Sequence, residues 1–209
     1  MSLPVRAVLL ASSAFLLTTP VHAQGVYWAW AFEPSVPIGP VRNAVSNASP
    51  AGASFGVRYL FEKSWSLGIG GHWAEFAQNY PRTTYPIENG ALTGAAYRRV
   101  WTTSLLAEAH VYLAPDETVS PYLGVGAGAS WMKNEVLMTD LTIGDDLVHG
   151  FTVSPEAGLL FAFDRDLFAP DRSAMQSVIT GVRCTFSTAG SRDVSSTAYV
   201  GLTLGMLVY

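Results

Sequence analysis

The chain has 209 residues, 49% hydrophobic and only 13% charged, against about a quarter charged in ordinary soluble domains, and its net charge is −4. So little charge is too little to coat a water-soluble surface, and the absence of any Lys or Arg block excludes nucleic acid as a partner. A lone cysteine, Cys184, excludes an intrachain disulfide and a cysteine metal cluster.

Residues 1–23 read as a secretory signal. Arg6 gives a short positive start, residues 7–17 an apolar run, and Val21-His22-Ala23 a small-residue cleavage site before Gln24. The apolar run is shorter than the roughly 20 residues that a spanning helix needs. No later stretch reaches 18 apolar residues, so residues 24–209 are expected to form one helix-free exported domain.

That domain shows apolar/polar alternation in segments of about ten residues, the trace of a membrane barrel. Residues 26–33 place Trp28, Trp30 and Phe32 on one face. In 51–61, Ala53, Phe55, Val57, Tyr59 and Phe61 oppose Ser54, Gly56 and Arg58. In 65–76, Trp65, Leu67, Ile69 and Trp73 oppose Ser66, Gly68, Gly70 and His72. Residues 100–113 set Trp101, Leu105, Ala107, Ala109, Val111 and Leu113 against Thr102, Ser104, Glu108 and His110.

The clearest alternation is 121–131, where Leu123, Val125, Ala127, Ala129 and Trp131 oppose Tyr122, Gly124, Gly126, Gly128 and Ser130. Glycine weakens strands, so its repetition on one face points to a crowded, narrow interior. In 151–161, Phe151, Val153, Pro155, Ala157 and Leu159 oppose Thr152, Ser154, Glu156 and Gly158. Then Val178, Val182, Cys184 and Phe186 oppose Ser177, Gly181, Arg183 and Thr185. Residues 195–209 close the series with Val200, Leu202, Leu204, Met206 and Val208.

The pattern predicts an all-β chain: an eight-stranded antiparallel up-and-down transmembrane β-barrel. Connections 62–64 and 115–120 are short, as inner turns are, while 34–50, 77–97 and 133–148 are long and polar, as outward loops are. Two connections depart from this rule: 164–174 is long for an inner turn and 190–193 short for an outer loop. A soluble eight-stranded barrel would need a charged exterior, and the face opposite the apolar one carries mainly Gly, Ser and Thr.

The segments PYLGVGAGASW (121–131), VSPEAGLLFAF (153–163), GALTGAAYRRV (90–100) and AYVGLTLGMLVY (198–209) resemble the small outer-membrane β-barrel domain family of Gram-negative bacteria, the OmpA/OmpX-like, porin-like barrels. The resemblance covers essentially all of residues 24–209. It implies residence in the cell outer membrane, contact with lipid and lipopolysaccharide, the outer-membrane assembly machinery as partner during insertion, and a monomer. Unlike full-length OmpA-type proteins, the chain is expected to be a barrel alone, without a peptidoglycan-binding domain. Such barrels usually end in a lipid-facing aromatic residue. Here the apolar set lies on even numbers, which puts Tyr209 on the opposite face unless a bulge shifts the register.

The inward set holds Glu33, Arg58, His72, Glu108, His110, Glu156 and Arg183. Charges in a narrow lumen must pair or meet water, so Arg58, Glu108, His110, Glu156 and Arg183 are expected to form a cross-lumen network that plugs the barrel. The alternative use of the same groups is to line a narrow path for small solutes or ions. Asp140, Asp145 and Asp146 mark a loop that can bind a divalent cation, and His72, His110 and Glu108 are a conceivable zinc set. His149 reads as a girdle residue.

A lipid A-modifying enzyme is a further alternative, but the adjacent His-Ser of a deacylase on a late strand is absent. The leading expectation is a non-enzymatic barrel with a structural or surface-interaction role, with no cofactor and no metal.

Overall fold

A computed structural model describes residues 25–61, 64–87, 90–138, 141–162, 176–191 and 194–208. The expected signal segment 1–23, the connection 164–174, Asp140 and Tyr209 lie outside the described residues. The strands are β1 (Val26–Phe32), β2 (Ser35–Ile38), β3 (Gly52–Phe61), β4 (Trp65–Ile87), β5 (Gly90–Tyr112), β6 (Val119–Met138), β7 (Leu141–Ala162), β8 (Gln176–Ser187) and β9 (Thr197–Val208). A single helical turn, α1, spans Pro40–Ala44.

All pairings are antiparallel, in the order β1-β3-β4-β5-β6-β7-β8-β9, and β9 returns to β1 to close the ring. The short β2 is no ninth wall strand. Phe32 faces Leu204 and Ser35 faces Gly201, so β1 and β2 share one register along β9. Between them Pro34 has no N–H to give, although its carbonyl still accepts from Leu202 at 2.9 Å. Eight strands therefore form the wall, as the alternation predicts.

Apolar residues point outward on every wall strand. Ile69 is 60% exposed, Phe55 55% and Trp65 54%, while Arg58, Ser66 and His72 of the opposite parity on β3 and β4 are buried. A soluble fold would bury these side chains, so the burial pattern is inside out for water and right for lipid. In β9, Leu202 and Leu204 are exposed and Leu207 buried, which keeps the even residues outward up to Val208.

Three expected loops are different in the structure. Residues 77–97 and 133–148 are mostly strand, because β4–β5 and β6–β7 stay paired far beyond the point where β3 leaves β4 at Ala74. Their Thr, Tyr, Val and Leu residues favour extended backbone, and Thr84 Oγ1 bonds Thr93 Oγ1 across the hairpin at 2.9 Å. Residues 34–50 do not extend outward. At Gly39 the backbone takes φ +61°, a left-handed turn suited to glycine, and α1 enters the barrel mouth with Val41 and Val45 fully buried.

Candidate functional site in the barrel lumen

Period-two geometry sends alternate residues of each strand into the lumen, where they sort into three tiers. The floor lies at the end that holds the short turns and both chain ends of the barrel. There Tyr27, Tyr112, Tyr122, Leu160, Ala162, Ile179 and Leu207 pack together. The phenol oxygens of Tyr27 and Tyr112 are 2.5 Å apart, and Ser66 Oγ lies 3.3 Å from Tyr112.

The middle tier is ionic. Arg58, Glu108 and Arg183 are each 4% exposed and Glu156 5%. Glu108 is the hub. Its Oε2 accepts from Arg58 Nε at 3.3 Å and Nη2 at 3.1 Å, and its Oε1 from His72 Nε2 at 2.8 Å and Arg183 Nη1 at 3.1 Å. Arg183 also donates to Glu156 at 2.5 Å and lies 3.5 Å from Glu33. Glu156 accepts from Tyr122 at 2.5 Å and lies 3.8 Å from His110.

Thus Arg58, Glu108, Glu156 and Arg183, with His110 at the margin, are in one connected cluster. Glu33 and His72 belong to it as well. Glu33 sits just past β1, at the root of the segment that fills the mouth, and His72 Nδ1 is 3.5 Å from it. Glycine makes room for these groups. A Cβ at Gly70 would stand 2.8 Å from the Glu108 carboxylate carbon, and one at Gly124 would stand 2.5 Å from the His110 ring. The glycine-lined face of the sequence is thereby explained.

The mouth is apolar. Val41, Ala44 and Val45 pack on Ala74, Phe76, Val100, Met132, Ala189, Val194 and Tyr199. Polar contacts pin the inserted segment to β4: Ser46 N donates to Gln78 Oε1 at 2.6 Å, Asn47 Nδ2 to Ala77 O at 3.2 Å, and Tyr80 OH to Ala44 O. The alternation pattern concealed this layer, because 34–50 has no period and its apolar residues are few.

Other expected sites do not assemble. In the conceivable zinc set, His72 meets Glu108 at 2.8 Å, but His110 turns to Glu156 at 3.8 Å, and among the described residues no group of three His, Cys, Asp or Glu side chains is placed to hold a metal ion. Asp145 and Asp146 are consecutive residues of β7, opposite Glu135 and Asn134, so the expected cation-binding loop is strand and its two positions belong to opposite sheet faces. No serine hydroxyl bonds to His72 or His110 among the described residues. His149 is exposed on the outer wall, edge-on to Trp131 at 6.4 Å.

The fold is similar to that of Neisserial surface protein A (NspA), with a TM-score of 0.51 and 12% identity, covering 88% of this chain and 94% of that one. Ail of Yersinia pestis matches with a TM-score of 0.44 and 14% identity, covering 88% and 96%. The N-terminal β-barrel domain of Pseudomonas aeruginosa OprF matches at 0.40 and 13%, covering 88% and 98%. No protein-family model matches the chain, and no curated protein matches its sequence. At such identities the likeness is one of fold: an eight-stranded barrel of the small outer-membrane type.

Proposed function

We propose that the chain is a non-enzymatic outer-membrane protein whose closed barrel anchors two long β-hairpins outside the cell, in a structural or surface-interaction role. Residues 1–23 serve as its export signal in this reading. The observation that carries it is the filling of the lumen at three successive levels: packed tyrosines, a buried ionic cluster, and an apolar mouth sealed by the inserted 34–50 segment. A solute path would need a continuous wet route through all three. A lipid-modifying enzyme would need its nucleophile and base at the lipid boundary, whereas both lumen histidines are buried inside the wall.

Three measurements test this. The folded protein in detergent is expected to show a heat-modifiable gel shift, and in planar bilayers no resolvable current. Steady current steps that change on replacing Arg58 or Glu108 would overturn the closed-barrel reading in favour of a narrow channel. A change in lipid A mass on expressing the protein would overturn the non-enzymatic one.

A further inference from the structure

The charges of the lumen do not balance by themselves. Among the described residues, three buried carboxylates, Glu33, Glu108 and Glu156, face two buried guanidiniums, Arg58 and Arg183. With both histidines neutral, one negative charge has no counterpart. An unbalanced charge in a buried site is costly enough that a nearby group changes its protonation instead. His72 and His110 are the buried side chains of the kind that takes up a proton near neutral pH.

Their surroundings tell the two rings apart. His72, on β4, has a carboxylate at each ring nitrogen: Nε2 is 2.8 Å from Glu108 Oε1 of β5, and Nδ1 is 3.5 Å from Glu33 Oε2 just past β1. An ionised carboxylate only accepts, so both nitrogens must carry hydrogen to meet them, and that ring is an imidazolium. From β8, Arg183 Nη1 lies 2.9 Å from Nδ1 and 2.8 Å from Nε2. Being equally near both, it rests against the ring and takes neither lone pair. Its like charge is offset by Glu33, Glu108 and Glu156 of β7, each of which it also meets. On β3, Ser54 stands opposite His72 in the register, and Arg58 holds the other oxygen of Glu108. His110 is different. It lies 3.8 Å from Glu156, and its buried Nδ1 has no hydrogen-bond partner among the described residues, so a second ring proton there would find no acceptor.

We infer that His72 holds a proton that balances the lumen, and that this proton locks segment 34–50 in the barrel mouth. The coupling is spatial. Glu33 leads directly through Pro34 into that segment, and Ala74, the next inward residue of β4 after His72, belongs to the apolar bed of Val41 and Val45. When the proton leaves, Glu33 loses its partner on the ring and the lumen keeps one surplus negative charge. Water relieves such a charge. Packed tyrosines close the floor, so water enters from the mouth, and the inserted segment lifts. Arg58, Arg183 and their carboxylates remain in place, so rising pH opens the mouth without opening the barrel. The inference rests on the closed-lumen reading, which the gel shift and bilayer recordings test separately.

The test uses the refolded full chain in detergent, its folding first confirmed by the heat-modifiable shift. Nitrogen NMR of histidine-labelled protein, assigned by replacing each histidine in turn, reads which ring nitrogens carry hydrogen. Near neutral pH, His72 is expected to show two protonated nitrogens and His110 one. E33Q removes the surplus carboxylate, so His72 should then be neutral at the same pH, a change that a merely structural contact would not produce. Trypsin cleavage after Arg42 reads the mouth, with a peptide of residues 34–50 cleaved at each pH as reference. Between about pH 6 and about pH 9 the wild-type rate relative to the peptide is expected to rise about tenfold or more, whereas H72Q is cleaved fast throughout. A neutral His72 in the wild type, an imidazolium that persists in E33Q, or a relative rate that does not change with pH each overturns the inference. If H72Q does not fold, the wild-type and E33Q spectra still decide.

Discussion

Replacing Glu108 with alanine is the sharpest perturbation of the lumen. Arg58 has Glu108 as its ion-pair partner among the described residues, and it is 4% exposed with its guanidinium on the Glu108 carboxylate at 3.1 Å. Arg183, by contrast, keeps Glu156 at 2.5 Å and Glu33 at 3.5 Å when Glu108 is gone. E108A thus strands one buried cation, at a cost of about 3–5 kcal/mol, or roughly two to three and a half powers of ten in the folding equilibrium.

R58A should cost less. Glu108 would still accept from His72 at 2.8 Å and Arg183 at 3.1 Å, so the loss is about 1.5–3 kcal/mol for the charged hydrogen bonds removed. The double variant removes the stranded charge, so it should fall short of the summed singles by about 1–3 kcal/mol. The assay is reversible urea unfolding in lipid vesicles, followed by tryptophan emission and by the folded gel band. An E108A protein within about 1 kcal/mol of wild type, or one no worse than R58A, would refute the hub assignment.

Neighbouring glycines give a paired prediction. G70A drives a methyl against the Glu108 carboxylate at 2.8 Å and should cost about 1–3 kcal/mol, whereas G71A meets nothing nearer than Phe55 O at 3.8 Å and should be nearly neutral by the same urea assay. Y122F removes a donor to Glu156 without changing shape, and its urea midpoint should fall by an amount equivalent to about 1.5–3 kcal/mol. V45D places a carboxylate in the fully buried mouth and should expel segment 34–50, read as faster proteolysis there. Planar-bilayer conductance should nonetheless stay absent in V45D, because the ionic tier still closes the barrel. Current in V45D alone would contradict the independence of the two seals.

The sequence by itself determined the wall. Alternation is a local property, since each residue's side is set by its parity within a strand, and lipid outside forces the apolar set outward. That is why Trp28, Phe55, Ile69 and Leu202 are all found on the lipid side, and Arg58, Glu108, Glu156 and Arg183 all in the lumen. Parity names the inward residues but not their partners. Which charges meet depends on ring closure and on the stagger between strands that are distant in sequence, such as Arg183 and His72, 111 residues apart.

The tertiary structure also decided what the pattern cannot encode. Segment 34–50 has no period, so only the space above Phe76, Val100 and Met132 makes an interior site for Val41 and Val45. The paired arms of 77–97 and 133–148 read as polar loops because, beyond the membrane, neither face of a hairpin has to be apolar. The two carboxylates that meet on His72 come from the end of β1 and from β5, far apart in the chain. Composition and parity thus fixed which surface meets lipid. Register across the closed ring fixed which side chains meet each other, because strand pairing is the interaction that brings distant parts of the chain together.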